Sequence, residues 1–257
     1  MQNELGLDWY DVTARNYDPA LGRWMNVDPL AEKYPSMSPY SAFANNPIFY
    51  VDPDGREIKT HREVAEDGTV TIVVTVSGKL INNSSTSYTA EEMQGIADRI
   101  ASSIAESYTG EGETVNWKGV ANISVASDDN PLTETDHAFR LYDNGKLPDS
   151  KNPGKTRPSG VIGHAPKGEK VVELNTMIVK DVPMADGRKA TLERTAPHEL
   201  GHSGTLDHPT DKKSLPGNLM HQTSNPNAGK KLNEKQILQI EKEYKAGNLN
   251  KGRQEIK

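Results

Sequence analysis

The stretch Thr195–His208 reads T-A-P-H-E-L-G-H-S-G-T-L-D-H, and its last eleven residues hold three of the chain's seven histidines together with a glutamate. His198 and His202 are four apart, so on a helix their Cβ atoms share one side at a separation of about 5–6 Å. Two imidazoles so placed can bind one zinc ion at about 2.0–2.1 Å each. Glu199 lies one step round the helix. It is too far round to be a third ligand, but it can reach a metal-activated water as general base. Gly201 leaves room beside these residues for another segment to approach. Gly204 can end the helix in a left-handed conformation, turning the chain so that His208 approaches the same metal from outside the helix. G-N-L-M-H, at 217–221, follows a polar loop. The chain has no cysteine. Disulfides and thiolate zinc sites are therefore excluded, and any metal must use His, Asp or Glu.

H-E-L-G-H-S-G-T-L-D-H resembles the metzincin signature H-E-x-x-H-x-x-G-x-x-H. Asn218-Leu219-Met220 resembles that family's Met-turn, and Gly201, Leu206 and Asp207 bring the matrixin type closest. The resemblance implies that His198, His202 and His208 are zinc ligands, that Glu199 is the base, and that Met220 forms an apolar floor beneath the site. It implies a zinc-dependent endopeptidase that hydrolyses peptide bonds through a Glu-activated, zinc-bound water. The fold it implies is an α+β zincin: a mixed twisted sheet, a long backing helix, an active-site helix and a C-terminal helix.

One position departs from the pattern. The family's glycine falls at 205, where this chain has Thr205. A β-branched residue at positive φ is strongly disfavoured, so the turn is expected to move to Gly204 or to take another path. Asp207, and more remotely Glu234, are the substitute third ligands. Pro197 allows two helix starts: Thr195 capping a helix from Ala196, or a longer helix from about Arg188 that bends at the proline. His61, His137, His164 and His221 read as surface or packing residues, and of these His164 is placed to line a cleft.

The elements that must carry these residues are legible in part. Thr69–Val76, T-V-T-I-V-V-T-V, is β-branched throughout and reads as a strand. Thr89 and Glu92 form a capping box. Met93, Ile96, Ala97, Ile100, Ala101, Ile104 and Ala105 then keep helical spacing, predicting a helix over 90–108 whose apolar stripe covers a sheet. Residues 122–126 and 170–178 read as further strands, the latter as an edge strand that binds substrate main chain to main chain. The segment 128–160 is rich in Asp, Asn, Pro and Gly and reads as loop. A last helix over 233–246 turns Ile237, Ile240 and Tyr244 inward, with its lysines on a solvated face.

Residues 8–56 are different. Aromatic residues recur between D-P, N-P and D-P-D-G turns, a pattern of short strands and tight turns. About fifty residues cannot close a sizeable core alone, so the packing partners lie elsewhere. The words Y-D-P-A-L-G-R-W, V-D-P-L-A-E-K-Y-P, S-P-Y, N-N-P and V-D-P-D-G-R resemble the C-terminal end of the Rhs/YD-repeat core. The resemblance implies a β-shell on a longer parent chain and a variable toxin beginning near Gly55–Arg56. It divides the chain into 1–56, an Rhs-core tail, and 57–257, a metallopeptidase-like domain. Asp28 and Asp52 loosely match the family's self-cleavage aspartates, but Ala31 replaces the first glycine, and the aspartates read as turn formers.

The chain is 257 residues with a formal net charge of −6. Residues 1–56 hold 4 Lys/Arg against 8 Asp/Glu, leaving 26 against 28 for the rest. Without a basic stripe at the site, nucleic acid is not the expected partner. With 21 glycines, 16 prolines and 34% hydrophobic residues, the core is expected to be modest and the loops long. No run is long enough to span a membrane, and no signal peptide is visible. Taken together, the expectation is a zinc endopeptidase acting as the toxin of an Rhs-type effector. It would be delivered outside the producing cell by a specialised route, with a cognate immunity protein in the producer. The alternative is a catalytically inactive zincin-fold remnant that binds metal or a partner.

Overall fold

The computed structural model describes residues 58–134, 136–183, 189–210 and 215–252, and in the N-terminal stretch 10–12, 15–18, 21, 23–25 and 38. The chain divides into two compact units, Met1–Gly55 and Arg56–Lys257. In the first, β1 (Tyr10–Val12), β2 (Arg15–Asp18) and β3 (Arg23–Trp24) form a three-stranded antiparallel sheet in that order. Tyr10 faces Tyr17 in register, and Tyr17 faces Trp24. Asp18 Oδ1 accepts from the Leu21 amide at 3.1 Å, which closes the β2–β3 turn. Asp28, Ala31, Asp52 and the Gly55–Arg56 boundary lie outside the described residues.

The second unit is built on a six-stranded mixed sheet: β4 (Lys59–Val64), β5 (Val70–Asn82), β6 (Asn116–Val125), β7 (His137–Tyr142), β8 (Gly163–His164) and β9 (Val171–Asn175). The order is β4-β5-β7-β9-β8, with β6 also on β5. β5 is long enough to pair with three strands: antiparallel with β4, and parallel with β6 and β7. Ile72, Val73, Val74, Val76 and Leu80 are all buried, so both faces of β5 are covered, as its continuous β-branched run requires. A 3-10 helix (Thr176–Lys180) follows β9, and β10 (Val182–Pro183) pairs antiparallel with β11 (Lys189–Ala190).

Three helices pack on this frame. α1 (Ala90–Ser107) carries the expected capping box, with both reciprocal bonds between Thr89 and Glu92 formed. Its stripe of Met93, Ile96, Ala97, Ile100 and Ile104 is buried. α2 is Leu192–Ser203. α3 (Glu234–Lys245) starts at a second capping box, Asn233 with Gln236, and buries Ile237 and Ile240. Among the described residues, no helix is long and apolar enough to cross a membrane.

Several expectations change. The strand of 170–178 stops at Asn175, whose side chain accepts from the Met177 amide and starts the 3-10 helix instead. It is also not the edge of the sheet, because β8 pairs with it antiparallel, Gly163 facing Leu174 and His164 facing Glu173. The span 128–160 is not all loop. It contains β7, whose residues H-A-F-R-L-Y are mostly buried between β5 and β9. β4, K-T-H-R-E-V, was too polar to read as a strand, and its Arg62 is held by Glu241 of α3 at 2.7 Å. Where the second unit opens and closes, Asn250 meets Ile58: its side-chain Nδ2 donates to the Ile58 carbonyl at 2.8 Å, and its Oδ1 accepts from the Ile58 amide at 3.1 Å.

Candidate metal centre

α2 begins at neither expected start. Thr191 is its cap, its side chain accepting from the Arg194 amide, and Pro197 lies inside the helix. The helix runs past the proline, and the Tyr108 hydroxyl donates to the Pro197 carbonyl at 3.2 Å. His198 and His202 therefore stand on one face, as four-residue spacing dictates.

The turn after α2 decides where His208 goes. Gly204 has φ −76, while Thr205 has φ 69. The left-handed residue is thus the threonine, against the expectation that Gly204 would take that role. The Thr205 amide donates to the His202 carbonyl at 2.8 Å, and the Leu206 amide to the Gly201 carbonyl at 2.9 Å. This pair of bonds is the Schellman arrangement, which puts the positive φ at the residue after the cap whatever its type. The helix length therefore selects position 205, and Thr205 bears the steric cost with its buried hydroxyl left without a partner.

The turn brings three imidazoles together. His208 Nε2 is 3.2 Å from His198 Nε2 and 3.1 Å from His202 Nε2. His198 Nδ1 donates to the Leu219 carbonyl, and His202 Nδ1 to the Leu206 carbonyl, each at 2.8 Å. Those bonds fix both tautomers with the Nε2 lone pairs facing inward. A proton on His208 Nε2 can serve only one of the two short N···N contacts; without it both contacts set lone pair against lone pair, and a cation between the three nitrogens would satisfy all of them. Three nitrogens at zinc distance round a tetrahedral ion stand about 3.4 Å apart, close to the observed separations. Burial lowers all three imidazole pKa values, that of His198 to about 3, so the rings are neutral, as metal ligation requires. The donor set fits zinc.

The substitute ligands are engaged elsewhere. Asp207 pairs with Lys167, and Glu234 accepts from the amides of Glu113, Thr114 and Val115. Glu199 is 8% exposed on the cavity side of α2, and burial pushes its carboxyl up to about 8. A Cβ at Gly163 would stand 2.7 Å from Glu199 Cγ and 2.8 Å from its Oε1, so β8 passes this close only because residue 163 has no side chain. Met220 is completely buried, with its Sδ against Gly201. His198, Glu199, His202 and His208 line one cavity of 520 Å³ with Gly163 and His164 of the edge strand.

Two positions escaped sequence reasoning. Arg194 is buried one helical turn before His198 and ties down the loop that carries Met220, donating to the carbonyls of Leu219, His221 and Gly229 and to Thr223 Oγ1. Its signal was a charge on the same helix face as the histidines. Gly163 carried no signal beyond its residue type.

No protein-family model matches the chain. Salivary gland surface protein 1 of Aedes aegypti is 45% identical over 53 residues, which is 21% of this chain and 1% of that protein. Among solved structures, archaemetzincin from Methanopyrus kandleri is similar at a TM-score of 0.38 and 14% identity, over 65% of this chain and 96% of that one. A chaperone–substrate complex is similar at a TM-score of 0.35 and 13% identity, over 74% of this chain and 37% of that one.

Proposed function

We propose that residues 57–257 are a zinc-dependent endopeptidase of metzincin-like type, with His198, His202 and His208 holding the metal and Glu199 acting as base. The observation that carries this reading is the convergence of three Nε2 atoms at 3.1–3.2 Å contacts with their outer nitrogens locked on carbonyls. When bound, zinc supplies Lewis acidity, acidifying water and polarising a peptide carbonyl. Glu199 takes the proton of the attacking water and passes it to the leaving amine. Burial holds this carboxyl towards its protonated form, and a zinc ion bound beside it would favour the ionised form that accepts a proton. The Leu219 and Leu206 carbonyls hold the His198 and His202 rings in place. Met220 fills the space beneath the site, and the free side of β8 offers main-chain groups to an extended substrate.

The N-terminal words support a wider reading: an Rhs-type tail carrying this domain as its toxin, with delivery into a target cell and a cognate immunity protein in the producer. The inactive-remnant alternative draws on Thr205, Pro197 and the missing shell. Neither of the two residues displaces a histidine, since Thr205 sits within a complete Schellman turn and α2 continues through Pro197.

The test is zinc content and cleavage of an unstructured protein by wild type and Glu199→Gln. Expected is one zinc per chain in both, with cleavage in wild type alone. Full activity in Glu199→Gln, or no zinc in wild type, would overturn the reading.

A further inference from the structure

The cavity that holds the three histidines also holds a cation with no assigned task. Among the described residues lining it, Arg157 is the only Lys or Arg. It is presented by the loop between β7 and β8, where its own amide is anchored on the Leu147 carbonyl at 2.8 Å. Its Nη2 donates to His164 Nε2 at 3.1 Å, and the same nitrogen also accepts from Ser150 Oγ at 2.9 Å. An imidazole nitrogen that accepts twice is unprotonated, and burial with the neighbouring guanidinium lowers the His164 pKa to about 4. His164 therefore orients Arg157 without cancelling its charge.

The carboxylates nearby balance it only in part: Asp149 pairs at long range, and Glu173 and Glu199 feel its charge but make no hydrogen bond to it and are raised by burial. Asp149 is 4.0 Å from Nη2, at the limit of an ion pair, and its oxygens also accept from the Lys151 amide at 3.1 Å and Asn152 Nδ2 at 2.7 Å. Glu173, the register partner of His164 on β9, is buried with Oε2 unpartnered, and burial raises it to about 7. Arg157 Nε is itself buried without a partner, and among the described residues Nη1 has none. The side chain lines the cavity and is 26% exposed, with its backbone amide anchored on Leu147. Fixed planar guanidinium groups with free N–H groups are the standard receptor for a carboxylate.

We infer that Arg157 receives a carboxylate of the peptide substrate and so sets the substrate class of this site. The carboxylate belongs to an Asp or Glu side chain or to a peptide's C-terminus. This rests on the peptidase reading for the word substrate, but not for the binding itself. Three peptides separate the cases: an acetylated, amidated heptapeptide with one central glutamate, its glutamine twin, and the twin with a free C-terminal carboxylate. Each is titrated calorimetrically into zinc-loaded Glu199→Gln protein, with and without Arg157→Gln or Arg157→Lys, with folding checked by circular dichroism.

Expected is binding of at least one carboxylate peptide about tenfold or more tighter than the neutral twin. Arg157→Gln should erase that preference, and Arg157→Lys should retain part of it. Which peptide gains identifies the source of the carboxylate. Equal binding of all three, or a preference that survives Arg157→Gln because the metal takes the carboxylate, would overturn the inference. Cleavage of the same peptides by wild type is followed in parallel. Arg157-dependent binding without any cleavage would sink the peptidase reading and leave the receptor standing.

Discussion

Met220 Sδ lies 2.5 Å from the point where a Cβ on residue 201 would stand. The contact ties the floor of the site to the helix that bears two of its histidines. Gly201→Ala gains about 1 kcal/mol of helix propensity but forces a methyl into a filled space, which costs about 1–3 kcal/mol. Because the Leu219 carbonyl next to Met220 holds His198, the displacement also reaches the proposed metal site. The expected outcome is a zinc affinity about tenfold weaker with a slightly lower Tm. Unchanged zinc affinity by competition with a chelator would show that the floor does not position the ligand.

Gly163→Ala should act on Glu199 rather than on the metal. The new methyl would overlap the Glu199 side chain, 2.7 Å from Cγ and 2.8 Å from Oε1, and Thr195 Cγ2 at 2.8 Å. A displacement of about 1 Å in a catalytic group can cost roughly a hundredfold in rate. Expected is a kcat/KM loss of ten- to a hundredfold with zinc stoichiometry unchanged. Equal losses of zinc and activity would mean that β8 supports the ligands instead.

Thr205→Gly should stabilise the protein. Threonine at φ 69 carries a left-handed penalty of about 1–2 kcal/mol and a buried hydroxyl without a partner. Glycine removes both, against a loss of up to about 1 kcal/mol from the freer unfolded chain. A Tm rise of about 2–4 °C is expected. A fall in Tm would mean that the threonine methyl packs usefully in the turn.

Acid should destabilise this fold partly through His137. Its ring is completely buried with both nitrogens unpartnered, and burial, then Lys170, lowers its pKa to about 3 from 6.5. Below about 6.5 the unfolded state binds a proton that the native state refuses, so stability declines as pH falls from about 6.5 towards 3. Above that window the contribution is complete. The difference in urea midpoint between pH 7 and pH 4 should be smaller in His137→Leu than in wild type. An equal difference would assign the acid sensitivity to other groups.

How much of this was written in the residues depends on range. α1 and α3 were legible to within a residue or two, because capping boxes and a 3.6-residue stripe are local signals. The four-residue spacing of His198 and His202 was equally local. β7 was missed because six residues, four of them buried, were framed by Asp, Pro and Gly, and its identity as a strand comes from β5 and β9 beside it. The edge moved from β9 to two residues of β8 for the same reason: pairing is a property of the sheet. Thr205 is the instructive error. Residue preference pointed to Gly204, but the hydrogen bonds that close α2 set the turn, and one residue's preference could not outweigh them. Arg194 acts on a loop some thirty residues away, a relation no spacing rule reports.

The paired amide contact between Asn250 and Ile58 has a practical consequence. Two positions near opposite ends of the described part of this unit lie side by side, so the span between them should graft into a surface loop of an unrelated host with both junctions close together. Joining the two ends through a short linker and opening the ring at an exposed turn, such as that at Gly68, should yield a permuted protein with the same three-histidine cluster.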